Sequence, residues 1–426
     1  MRSRIRTLLI AAIFFMAIAA STTERRMALT GKVVDLTGRP VDHAAVLVYQ
    51  AGVRTGYSTY CPTCYADCGK RTITASDGSY RIKGLSPDLK FTLLVVRDGY
   101  FSEFVKSVDP LQGPAPNAIL KTRQPVNDPQ MAVRGRIVDF RGRPLRDAIV
   151  QPKGILYNDE KRGRITAYGT VGGLDLIAVT NDKGEFEISY DRPALKLLLL
   201  VEARGFAPKI FNELSTGLDR KTLTVGDGAT VRGQLICSGR PLAGAQMGLV
   251  PRQRGMGAEL KLYGNPYEEL RVGTKSDGTF VFTNVPVPVE WYAYAKMESI
   301  SGHGATVPIE CSTKRDGEDV DVGEILIKPG YRLRGIVVLS DGKPIGESMR
   351  VTIGADKAAD TQTIILRSDG KFEFSDLAPG KYQVFASVKG YRAPTWDYRT
   401  RPDPPGTVQI EHDVDDFVLT MDPAKQ

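Results

Sequence analysis

One phrase recurs four times along this chain, and a repeat of that length commits the fold before any single residue suggests a chemistry. It opens with a β-like run, a Gly-x-Pro turn and a second apolar run. The first copy reads Gly31-Lys-Val-Val-Asp35 with Gly38-Arg39-Pro40, the second Gly135-Arg-Ile-Val-Asp139 with Gly142-Arg143-Pro144. Copies three and four read Gly233-Gln-Leu-Ile236 with Gly239-Arg240-Pro241, and Gly335-Ile-Val-Val338 with Gly342-Lys343-Pro344. The opening glycines lie about a hundred residues apart, the spacing of a tandem array of domains and not of a solenoid built from short units.

A second half-phrase follows in each copy, a polar-Gly turn leading into an alternating strand. It reads Ser76-Asp77-Gly78-Ser-Tyr-Arg-Ile82, Asp182-Lys183-Gly184-Glu-Phe-Glu-Ile188, Ser276-Asp277-Gly278-Thr-Phe-Val-Phe282 and Ser368-Asp369-Gly370-Lys-Phe-Glu-Phe374. Alternation of period two across a glycine turn marks a hairpin, because glycine takes the positive φ of the turn and alternate side chains then face one core. The acidic residues Asp77, Asp182, Asp277 and Asp369 read as turn residues, since none has a second carboxylate beside it for calcium. In three copies an apolar strand then runs to a Gly-aromatic pair, Gly99-Tyr100, Gly205-Phe206 and Gly390-Tyr391; copy three has drifted there to Ser299-Ile300.

The chain begins differently. Arg2, Arg4 and Arg6 precede the apolar stretch Leu8 to Ala20, which closes on the small residues Ala17, Ala19 and Ala20. That reads as a secretory signal over residues 1–20, shorter than a membrane-spanning helix needs, with an uncleaved membrane anchor as the alternative. No later apolar run is long enough to span a bilayer. Removing the three signal arginines takes the formal charge of +8 down by three over a chain of 426 residues. So mild and scattered an excess excludes a nucleic-acid binder, which needs a dense basic stripe. The expected location is therefore the periplasm, the cell envelope or the exterior.

The run Gly31 to Asp35, Gly38 to Pro40, Ala45 to Val48, Asp77 to Leu85 and Gly99-Tyr100 resembles the carboxypeptidase regulatory-like domain. Copies two and four match nearly as well, copy three in its first two-thirds, so the resemblance covers 29–422. It implies four antiparallel β-sandwiches, immunoglobulin-like or transthyretin-like, of about seven strands each. Their expected bounds are 29–122, 131–226, 229–328 and 331–422, with short junctions at Gly226-Asp227-Gly228 and Lys328-Pro329-Gly330 that limit swivelling. In secreted peptidases the module accompanies the catalytic domain and is not the catalyst. The residues agree: His43, His303 and His412 stand in three different copies, and no zinc-peptidase ligand set forms around them. The adhesin B-type relatives of this sandwich carry an isopeptide cross-link, for which Lys32 and Asn117 would be the pair in copy one.

Between the second strand and the hairpin, the loop varies from copy to copy, and Pro344 to Gly370 is the shortest span. Loops at one end of a sandwich are where binding is commonly added, because the scaffold tolerates their variation. The first such loop carries Cys61, Cys64 and Cys68. In an exported protein a disulfide among them is the expected state, with a metal site, completed by Asp67 or His43, or a reactive thiol as the alternatives. Cys237 and Cys311 are a possible second disulfide, unless Cys237 is simply a buried apolar residue. Trp396 and Tyr398 could form a sugar-stacking platform, whereas Tyr391, at the repeated Gly-aromatic position, reads as core and Trp291 lies in a strand. The reading is a non-enzymatic, exported binding or scaffold protein with a protein or polysaccharide partner and no cofactor. A passive spacer is the alternative.

Overall fold

The computed structural model describes residues 26–55, 65–252, 267–346, 349–397, 399 and 403–424. The expected signal, Cys61, Cys64 and Tyr398 lie outside these residues. Among the described residues the regular structure is strand, interrupted only by two 3-10 turns, Pro129–Met131 and Met297–Ile300. None of their helices is long and apolar enough to cross a membrane.

Each repeat contributes two sheets. In the first, Ser79–Leu85, Met27–Asp35 and Ala118–Leu120 form one, and Arg71–Ile73, Ala45–Val53, Leu89–Val96 and Glu103–Val108 the other. The two inner faces enclose Val33, Val46, Ile82, Leu93 and Leu120, all buried. The later repeats build the same pair of layers, and each of their three large apolar clusters takes its fully buried residues from one repeat.

The repeated phrase has a packing cause. The opening glycine of each repeat lies flat against the aromatic ring that follows the hairpin. A Cβ added to Gly31 would come within 2.4 Å of the Tyr80 hydroxyl, and one added to Gly135, Gly233 or Gly335 within 2.7, 2.7 or 2.6 Å of Phe186, Phe280 or Phe372. The hairpin glycines Gly78, Gly184, Gly278 and Gly370 sit at φ of 74°, 73°, 71° and 77°. There a side chain would also strike the carbonyl of Val33, Ile137, Leu235 or Val337.

The turn aspartates accept backbone N–H bonds two residues on, Asp77 from Ser79 at 2.9 Å, Asp277 from Thr279 at 3.0 Å and Asp369 from Lys371 at 3.0 Å. Repeat two departs from this. Asn181 is the acceptor there, from Lys183 at 2.9 Å and Glu185 at 3.0 Å, while Asp182 pairs with Arg146 at 2.8 Å. Lys32 and Asn117 are both exposed, each directly preceding the paired residues Val33 and Ala118 of the parallel first and last strands.

The sheets are not wholly antiparallel. In every repeat the last strand lies parallel to the first: Ala118–Leu120 on Met27–Asp35, Arg220–Thr224 on Ala132–Val138, Asp319–Ile327 on Ala229–Cys237 and Val414–Pro423 on Tyr331–Leu339. A parallel partner needs a crossover, and the intervening strands of the second sheet supply it. The chain therefore enters each repeat at one end and leaves at the other.

Consecutive repeats also touch. The Arg123 guanidinium, between repeats one and two, donates to Asp175 at 2.8 Å and to the Ser189 hydroxyl at 2.7 Å. Arg71 pairs with Asp147 at 3.0 Å. The Asn284 amide of repeat three donates to the carbonyls of Gly205 at 3.1 Å and Asp227 at 2.9 Å. Between repeats three and four, Lys296 reaches Glu269 at 3.0 Å, Asp360 at 3.3 Å and the Ala359 carbonyl at 2.6 Å.

Candidate functional site

Strand alternation accounts for the cores and leaves a second set of apolar side chains on the outer sheet faces. Leu47 and Leu94 of repeat one and Leu198 and Leu200 of repeat two are buried, yet belong to neither core cluster. In Leu89–Val96 the neighbours Leu93 and Val95 point inward and Leu94 outward. In Lys196–Glu202, Leu199 and Val201 point inward, so Leu198, Leu200 and Glu202 point outward. These outer faces meet across the boundary, where Gln151 donates to the Tyr49 hydroxyl at 2.7 Å.

The faces do not close completely. They leave a cavity of about 440 Å³, walled by repeats one, two and three together. Leu47, Leu94, Ile149 and Leu200 form its apolar wall, and Tyr267, Leu270 and Trp291 bring in repeat three. Its size falls in the range of small-ligand sites, roughly 300–1,000 Å³. Its polar lining includes Tyr49, Gln50 and Gln151 and six charged residues, Arg146, Asp147, Lys153, Glu202, Arg204 and Glu268. Burial raises the Glu202 carboxyl above its ordinary range, Lys153 opposes the shift and Glu268 adds to it. Burial likewise pushes the Tyr49 phenol far up, with the Glu202 charge adding, and lifts Tyr267 to about 12.

Tyr65 and Cys68, the described end of the cysteine loop, stand at the same cavity. Cys68 carries a free thiol raised in pKa by burial, and Arg204 of repeat two donates to its carbonyl at 2.5 Å. The residues that could complete a metal set with it are committed elsewhere. Asp67 is buried and accepts from Arg26 at 3.1 Å, from Ser86 N–H at 2.9 Å and from Lys70, while His43 is exposed beside Asp42 at 3.0 Å. Among the described residues no group of three or more His, Cys, Asp or Glu could hold a metal.

The Cys237–Cys311 pairing is not formed. Cys237 ends a strand of one sheet and Cys311 lies in Ile309–Thr313 of the other, opposite Trp291, and both thiols are free. Burial lifts the Cys311 thiol to about 11. Cys237 instead faces His303, with its sulfur 3.9 Å from Nδ1, a juxtaposition with no signal in the sequence. Trp396 is 40% exposed; its expected partner Tyr398 falls outside the described residues. Trp291 is core, with its indole N–H on the Thr313 hydroxyl at 2.9 Å. Tyr294 is buried on the outer face, bonded to Glu269 and accepting from Ala359 N–H at 2.8 Å.

Sequence reasoning placed binding on the loops and missed the sheet faces. The missed signal was the loss of alternation in Leu93 to Val96, Leu197 to Val201 and Trp291 to Ala295, because consecutive apolar residues mean a strand buried on both faces.

No protein-family model matches the chain, and no curated protein does. Among solved structures, a streptococcal ancillary pilin is 12% identical with a TM-score of 0.23, covering 69% of this chain and 100% of that one. The Bacillus anthracis TIE protein is 9% identical with a TM-score of 0.19, covering 96% of this chain and 76% of that one. GBS52, a minor pilin of Streptococcus agalactiae, is 13% identical with a TM-score of 0.23, covering 46% of this chain and 97% of that one. At such scores nothing about those proteins transfers to this chain, whose all-β fold stands on its own strands and sheets.

Proposed function

We propose that the chain is an exported, non-catalytic binding and scaffold protein of four tandem sandwich modules. The observation that carries this reading is the cavity walled by three consecutive repeats, a feature that exists only in the assembled array. Its apolar wall, its polar and charged lining and its position beside Tyr65 and Cys68 suit a small ligand or the end group of a protein or glycan chain. The arginine-rich, alanine-ended beginning supports export, and the separation of the three histidines supports a non-catalytic role.

Thermal unfolding of the full chain, screened with soluble glycans, peptides and small amphiphiles, tests the reading. A true ligand raises the midpoint by mass action, and a Leu200→Trp variant that fills the cavity loses that rise. A second reading, the passive spacer, draws on the parallel first–last pairing and the short junctions. It requires that no compound moves the midpoint of either protein.

A further inference from the structure

Away from the cavity, a nucleophile stands beside a base. Cys237 ends Ala229–Cys237 at the margin of the repeat-three core, half-buried, with its sulfur 3.9 Å from Nδ1 of the exposed His303 and 4.0 Å from the Ser238 hydroxyl. Two local structures fix that approach. Ser238 and Gly239, at φ of 49° and 73°, make the two-residue turn that closes the strand and sets Arg240 opposite Cys237. The His303 loop is pinned to the strand beside Cys237: Ala305 and Lys328 exchange backbone bonds of 2.8 and 2.9 Å, directly after Ile327, the parallel partner of Cys237. A Cβ on Gly304 would come within 2.2 Å of the Lys328 carbonyl, so the loop lies close against that strand. From repeat four, Asp376 accepts from Gly302 N–H at 2.8 Å and holds the other side of the loop.

A thiol acts as a nucleophile in its thiolate form, which a neighbouring imidazole or cation favours. In the tautomer protonated at Nε2, His303 Nδ1 accepts the Cys237 proton. The strand register sets two cations around the pair, Arg240 opposite Cys237 and Lys328 next to Ile327, and Asp376 is the acid bonded to the loop. Cys68 and Cys311 differ, because burial raises both thiols. We propose that Cys237 is a modification site that captures small organic disulfides by exchange, with His303 as its base. The deprotonated Cys237 sulfur attacks one sulfur of the disulfide, a new S–S bond forms as the old one breaks, and the leaving thiolate takes up the proton that His303 accepted. The disulfide is itself the oxidant, and compartments outside the cytosol are where such disulfides persist. The inference stands on this pair and is independent of the cavity.

Hydroxyethyl disulfide, a neutral probe that neither Arg240 nor Lys328 steers, tests this on the full chain, with the modified cysteine located by peptide mass mapping and rates taken across pH. Near neutral pH, Cys237 of the folded chain is expected to form the mixed disulfide about tenfold faster than Cys237 of the urea-unfolded chain. Cys311 should stay unmodified until the chain unfolds. His303→Gln is expected to slow Cys237 by about the same tenfold near neutrality, with the gap closing above about pH 8.5, where an ordinary thiol ionises without help. His303 is exposed, so this replacement should leave the fold in place, and an unchanged thermal midpoint checks that. Slowing by one factor at every pH would make His303 a structural prop and overturn its role as the base. Equal rates in the folded and unfolded parent chain, or no mixed disulfide at Cys237 in the folded chain, overturn the site whatever the variant does.

Discussion

Tyr80 occupies the position where the other repeats carry Phe186, Phe280 and Phe372, and its buried hydroxyl finds no partner. Burying an unsatisfied hydroxyl is destabilising, so Tyr80→Phe is expected to raise stability by about 1 kcal/mol, read as an increase in the denaturant midpoint. A lower midpoint would mean that the hydroxyl is bonded in solution. Gly135→Ala should act in the opposite sense, losing about 2 kcal/mol, because its Cβ would meet both Phe186 and the Lys221 carbonyl at 2.7 Å. The thiols should separate by environment: Cys311, lifted to about 11 by burial, should resist alkylation near neutral pH in the folded protein and react only after unfolding. At the acid end, the paired guanidinium of Arg54, helped by the Leu111 N–H, holds Asp109 down to about 2. A depressed carboxyl contributes stability above its unfolded value of 3.8 that is lost as pH falls through about 2. Urea melts at stepped pH should therefore show Asp109→Asn weaker than the parent chain near neutrality, with the gap closing across that window.

At the scale of elements, the boundaries between repeats should behave as buried interfaces. Lys296 lies only 15% exposed between Glu269 and Asp360. Lys296→Met leaves the buried Asp360 without its cation, while Glu269 keeps Arg271 at 3.9 Å, and a loss of about 3 kcal/mol is expected in the unfolding of the fourth repeat. Repeat two expressed alone should self-associate through its bared Leu198 and Leu200, and polar replacement of both should restore a monomer in sedimentation. The sequence made the strands and hairpins legible because glycine and proline mark each turn by a local steric demand. Gly31 against Tyr80 and Gly78 against the Val33 carbonyl are such demands, written within one repeat. The interfaces were less legible. Which outer face meets which depends on residues a whole repeat apart, such as Tyr49 with Gln151, and no local period encodes that pairing. The cavity was hidden for the same reason. Glu202 reads as the polar end of a leucine-rich strand until repeats one and three close over it.

For the whole molecule, the parallel pairing of first and last strands sets how the array carries tension. A pull applied to the two ends of a repeat draws those strands past each other along their length. Their cross-strand bonds are then loaded together in shear, and not opened one after another as in a peeled hairpin. The ladders differ in extent. In repeat one only Val33, Val34 and Asp35 face Ala118, Ile119 and Leu120, while in repeat three the pairing runs from Thr230 to Cys237, and in repeat four from Leu333 to Leu339. Single-molecule stretching should therefore yield repeat one at the lowest force and repeats three and four at the highest. A chain built this way is graded like a fuse: under load it lengthens first at the repeat that helps wall the cavity, so tension on the array would empty the cavity while the far repeats still hold.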